Sequence, residues 1–223
     1  ISLKLEIMEK KRIWWWNNSC FRSFLLGVVI LLFLSRTGGA LPTFVIEGGE
    51  SFPFLLPMVE SAWEEAQLCF QRVTGYSPHS SFRIVVLSSE TSKALPSWVA
   101  AFSRGNTIYL RFPLLLLERG ILSSTLAHEF LHIFVGSYNW QLPFWFEEGL
   151  ASFFFPASGE YFQEGTGEFY RECRESFQIF KEKIGEENLP SFFSTVQEKG
   201  FDEAFFIWTG EREENSGKYT HGR

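Results

Sequence analysis

His128 and His132 stand four residues apart, with Glu129 directly after the first, inside a run whose apolar residues Leu122, Leu126, Phe130, Ile133 and Phe134 recur at helical spacing. On a helix that separation brings both imidazoles to one face, where they can share a single metal ion. The apolar residues of the same run need a core to pack against, so the fold has to be built around this helix. Ser123 or Ser124 is expected to cap it and Gly136 to end it.

A second segment, Pro143-Phe144-Trp145-Phe146-Glu147-Glu148-Gly149-Leu150-Ala151-Ser152, reads as a short helix stopped by Pro156. The loop from Gly136 to Leu142 is short enough to favour antiparallel packing of the two helices, which carries a carboxylate back toward the imidazoles. Adjacent helical residues point about 100° apart, so only one of Glu147 and Glu148 reaches the metal, and spacing alone does not choose between them. Two neutral histidines and one carboxylate make a three-ligand site with a position left open, which is the arrangement of catalytic zinc. Glu129 points away from the coordination sphere but stays close enough to hold a water molecule.

His-Glu-x-x-His followed by Pro-x-Trp-x-x-Glu-Gly-x-Ala resembles the gluzincin metallopeptidases of the MA clan, relatives of thermolysin and aminopeptidase N, over about Pro57 to Thr209. Within that clan the chain is most similar to the small bacterial peptidase-MA-like proteins. The resemblance implies one zinc ion, with Glu148 as third ligand beside His128 and His132 and with Glu147 at a variable, solvated position. It implies a zinc-activated water that hydrolyses a peptide bond, with Glu129 as general base and then acid. Such enzymes draw an oxyanion donor from outside the two zinc helices, and Tyr170 and Tyr161 are the candidates. Relatives carry an acid four residues after the third ligand. This chain has Ser152 there, so either its hydroxyl accepts the bond that orients a histidine, raising ligand basicity less, or another acid such as Glu160 replaces it. A competing expectation, suggested by the missing acid at Ser152 and the unidentified oxyanion donor, is a catalytically silent zinc-binding protein that acts in binding or assembly at the cell envelope. His79 and His221 are read as surface residues.

Lys10, Lys11 and Arg12 precede an apolar run from Phe24 to Leu34 and the small residues Gly38, Gly39 and Ala40, which together read as an export signal cleaved after Ala40. Eleven apolar residues fall short of the about twenty that span a bilayer, so a retained signal anchor is the second choice. The protein is therefore expected to be exported, either extracellular or in the cell envelope, with any membrane association through this segment. Without residues 1–40, fourteen basic side chains face twenty-four acidic ones. That balance argues against a nucleic-acid partner, and a peptide or protein substrate is what the resemblance implies. Cys69 and Cys173 either pair or remain buried thiols.

The remainder reads as one peptidase domain over 41–209, with a polar tail expected to be disordered over 210–223. A helix is expected from about Pro57 to Val73, with Pro57 at a favourable first position and Gly75 as its stop, then a strand from Phe82 to Leu87. A hairpin follows, pairing Trp98 to Phe102 with Thr107 to Phe112 around Ser103-Arg104-Gly105-Asn106. By the resemblance, Thr107 to Phe112 is the candidate substrate strand at the sheet edge. Helices from about Glu168 to Lys183, from Asn188-Leu189-Pro190, and from Phe201 to Phe206 close the chain. The fold class is α+β: a small mixed sheet, a zincin-type active-site helix, and a mainly helical C-terminal part.

Overall fold

Alternation builds the sheet: in β2 (Ser81–Val86) Phe82 and Ile84 are buried while Ser81 and Arg83 face solvent, the period-2 pattern of a half-covered strand. The computed structural model describes residues 43–78, 81–96, 99–156 and 166–212. Within them β2 pairs in parallel with β1 (Thr43–Glu47) on one side and with β4 (Thr107–Leu110) on the other, and β3 (Ala101–Arg104) pairs antiparallel with β4. The order is β1-β2-β4-β3, a small mixed sheet.

Two expectations about the hairpin are corrected. Arg104 pairs with Thr107, so the connecting turn is only Gly105 and Asn106 and not four residues. β4 is paired on both sides, which leaves β3 as the edge on that side of the sheet and β1 as the other edge among the described residues. The run Thr107 to Phe112 also stops early as a strand. Phe112 takes a left-handed φ of 51° to start α3 (Pro113–Glu118), a short helix with proline in its first turn.

The parallel β1–β2 pair needs a crossover, which α1 (Leu55–Thr74) supplies. It starts before Pro57 and ends on Gly75, whose φ of 77° is the left-handed C-cap expected there. A short helix, α2 (Ser89–Lys93), follows β2 and is capped by Ser88, whose side chain accepts from the Thr91 amide. The central helix α4 (Leu122–Ser137) packs against both α1 and the sheet through aromatic contacts, with Phe130 5.0 Å from Phe82 and Phe134 5.5 Å from Phe70 between ring centres. Neither Ser123 nor Ser124 caps α4. Ile121 holds the cap position, and the Ser124 hydroxyl donates back to the Ile121 carbonyl. Gly136 is not the stop either: it stays helical, and the reversal comes three residues later at Asn139, which takes a φ of 53°.

α5 (Phe144–Phe154) follows, and Phe155 turns extended ahead of Pro156. The helical half consists of α6 (Thr166–Ile184), α7 (Leu189–Lys199) and α8 (Phe201–Thr209). Phe146 of α5 meets Phe177, Phe180, Phe192 and Phe201 at ring-centre distances of 4.9 to 5.6 Å, so the phenylalanines fill the core. A Cβ at Gly149 would clash with the Cys173 carbonyl and lie 2.8 Å from Phe177 Cβ, so α5 and α6 approach closely only because that residue is glycine. Cys69 and Cys173 are buried unpaired thiols, each pushed up to about 12 by burial.

No helix among the described residues is long and apolar enough to cross a membrane. The export segment, most of the polar tail, and the residues His79, Trp98, Glu160, Tyr161 and His221 lie outside the described residues.

Candidate metal centre

One face of α4 carries His128 and His132, whose Nε2 atoms are 3.1 Å apart. Antiparallel return through α5 brings in Glu148, with Oε2 3.5 Å from His128 Nε2 and Oε1 3.5 Å from His132 Nε2. One ligand atom from each of the three residues lies within 4.8 Å of the others, and the group is largely buried. These three residues can hold a metal ion.

The outer nitrogens fix which atoms face the centre. His128 Nδ1 lies 2.9 Å from the Phe155 carbonyl oxygen, which can only accept, so Nδ1 donates. His132 Nδ1 donates to Glu147 Oε1 at 2.8 Å. In the neutral imidazoles both Nε2 atoms therefore present lone pairs, directed at each other and at a carboxylate. Glu148 Oε2 has no hydrogen-bond partner among the described residues. Two lone pairs and a buried carboxylate are reconciled by a cation, and a metal ion fits that demand. A proton is the competitor. Burial alone would lower the His132 pKa, but the Glu147 hydrogen bond and the charges of Glu148, Glu129 and Glu147 push it up to about 9. Glu148 is held below the usual carboxylate range: burial opposes its charge, and the two imidazoles outweigh burial.

The resemblance cast Glu147 as a variable, solvated residue, and the structure corrects this. Adjacent residues on α5 address opposite nitrogens of one ring, Glu147 the Nδ1 of His132 and Glu148 its Nε2. The angular separation that bars Glu147 from the metal side is what lets it grip the outer side. Ser152 is fully buried and its hydroxyl has no hydrogen-bond partner among the described residues. Its expected orienting role is taken by Glu147 for one histidine and by the Phe155 carbonyl for the other. The sequence signal for Glu147 was the Glu-Glu pair itself, whereas a backbone carbonyl leaves no signal.

A cleft of about 600 Å³ opens over the three ligands and is lined on its far side by Ala101, Phe102 and Ser103 of β3 and by the Gly105-Asn106 turn. No residue of β4 lines it, so the strand beside the centre is β3. Glu129 faces the cleft, and its carboxyl pKa is raised by burial despite the two imidazoles and the Ser103 hydroxyl, which act the other way. Tyr170, on α6, lines the same cleft. Burial, then the Glu148 and Glu129 charges, raise its hydroxyl well above the ordinary tyrosine value, so it stays protonated. Of the two candidate tyrosines, Tyr170 is the one within the described residues, and it faces the cleft.

No protein-family model matches the chain, and no curated protein matches it in sequence, so the geometry of this centre is what bears on function.

Proposed function

We propose that this chain is a gluzincin-type metallopeptidase that hydrolyses peptide bonds, using one zinc ion held by His128, His132 and Glu148 and using Glu129 to carry the proton. The observation that supports this best is the convergence of two Nε2 lone pairs and the Glu148 carboxylate beside a second buried carboxylate that faces an open cleft. Two imidazoles and a carboxylate are the donor set of zinc sites that keep a position free, and a purely structural site would have no use for Glu129. When bound, such an ion acts as a Lewis acid toward a carbonyl oxygen and lowers the pKa of water to about 7.

The chain's own groups do the rest. Glu129, made more basic by burial, takes one proton from water as the water oxygen joins the carbonyl carbon. It returns that proton to the amide nitrogen as the C–N bond breaks, so the acid and amine products share the elements of water. Tyr170 keeps its proton and donates to the carbonyl oxygen as negative charge builds there. The β3 edge offers backbone groups to an extended chain crossing the cleft. Glu147 and the Phe155 carbonyl hold the two rings with Nε2 toward the centre.

The basic and apolar stretch at residues 10–40 supports an exported or envelope location. The silent-protein reading drew on Ser152 and on the lack of an identified donor. Glu147 and Tyr170 supply groups for both roles and count against it. Removal of metal by a chelator is expected to abolish hydrolysis of a mixed peptide library, and about one equivalent of zinc to restore it. Hydrolysis that survives complete metal removal would overturn the reading.

A further inference from the structure

We propose that Phe144 is a specificity-determining residue, and that the cleft takes an internal, uncharged stretch of polypeptide with a large apolar or aromatic residue beside the bond that is cut. This deepens the peptidase reading and rests on it.

Phe144 opens α5 and is 65% exposed, although it belongs to a helix that is otherwise mostly buried. It stacks on Phe169 of α6, with ring centres 5.5 Å apart and planes 24° from parallel, and it lines the cleft. It lies four positions before Glu148, a separation that on a helix places two side chains about 5–6 Å apart on the same face. One residue of extended chain advances about 3.3 Å, so a substrate residue flanking a carbonyl held at the centre comes within reach of this ring. Leu95, Val99 and Ile133 add apolar surface to the same cleft. An aromatic ring supported on one side and open on the other gains most by covering with another apolar group.

Charge narrows the choice further. The carboxylates in the cleft are Glu129, Glu147 and Glu148, and no lysine or arginine lines it among the described residues. Segments 97–98 and 157–165, which lie outside the described residues, contain no lysine or arginine in their sequence. A substrate's terminal carboxylate, or an aspartate or glutamate beside the bond, would find no counter-ion and would meet like charge. The cleft therefore suits internal bonds and disfavours carboxypeptidase action.

The test uses zinc-loaded protein and peptides that differ only at the residues flanking one bond, each made with a free and an amidated C-terminus. Peptides with Phe or Leu at one flanking position are expected to exceed those with Ala in kcat/KM by about tenfold or more, and those with Glu by more again. Amidation of a distant C-terminus is expected to change nothing. In Phe144→Ala the Phe-to-Ala preference should fall about tenfold, and in Phe144→Leu most of it should survive. Zinc content of each variant, measured alongside, shows that the centre is intact. Binding of the same peptides to zinc-loaded Glu129→Gln, followed by fluorescence anisotropy, separates the two claims. If nothing is cleaved but apolar peptides bind in a Phe144-dependent way, the peptidase reading fails and the subsite stands. If Phe144→Ala leaves the preference unchanged, or peptides with a free terminal carboxylate beside the bond are cut best, the subsite is wrong.

Discussion

The α4–α5 pair and the α6–α8 group are both buried and rich in phenylalanine, yet they bury very different things. The first encloses His128, Glu129 and Glu148, while the second encloses Phe177, Phe180, Phe192, Phe193, Phe201 and Phe205. Burying charge costs stability unless each group is paired, whereas burying phenyl rings adds to it. The two meet at Gly149 and Phe146, where α5 lies against α6, so the aromatic group supports a layer that its own polar cargo would weaken. Stability and chemistry are thus carried by different residues, and substitutions should separate them.

The largest expected effect on stability comes from the aromatic side. Phe192→Ala should cost about 3–5 kcal/mol, read from urea unfolding, and should leave zinc affinity unchanged in whatever fraction remains folded. Glu129→Gln should do the reverse. It should lower kcat by about 10²–10⁴ while the unfolding midpoint stays the same or rises slightly, because a buried carboxylate is replaced by a neutral group of the same shape. A loss of stability in Glu129→Gln as large as that in Phe192→Ala would break the division between the two regions.

Smaller effects sharpen it. Glu147→Gln weakens the partner of His132 Nδ1 without touching Glu148, and about 10–100-fold in zinc affinity should be lost. The pH dependence of metal uptake is a further check. The folded pKa of His132 is raised to about 9, so in chelator-stripped protein the charged ring adds stability that is fully present below about 6.5 and lost as pH rises through about 9. Metal must displace that proton. Zinc affinity measured by competition with a chromophoric chelator should therefore rise about tenfold per pH unit below about 9 and then level off. A flat profile would mean that His132 is neutral in the stripped protein. At the low end, removing the exposed Lys183–Glu211 pair should change stability by less than about 1 kcal/mol.

The longer helices and the convergence of His128, His132 and Glu148 were legible in the sequence because each has a local signature: helical spacing of apolar residues, Gly75 at a helix end, and His-Glu-x-x-His with a carboxylate after a short loop. Sheet order was not, because pairing is a long-range choice. Nothing local says that Thr107 to Leu110 lies between two strands and that Ala101 to Arg104 lies at the edge. β1 at Thr43–Glu47, α2 and α3 were missed for a related reason, since five or six residues are too few for periodicity to speak. The cap of α4 was misread because a serine within the first turn can hydrogen-bond backward to a carbonyl instead of forward to an amide. The role of Glu147 was not legible because helical spacing separates the two carboxylates by angle but does not say that one of them meets the far side of the His132 ring.

The most direct measurement is zinc content together with peptide turnover for wild type, Glu129→Gln and Glu148→Ala, each purified and exposed to limiting zinc. About one zinc per chain is expected in wild type and in Glu129→Gln, with a marked loss of zinc in Glu148→Ala and turnover in wild type alone. Zinc held as tightly by Glu148→Ala as by wild type, or turnover that persists in Glu129→Gln, would contradict the proposed roles of these residues.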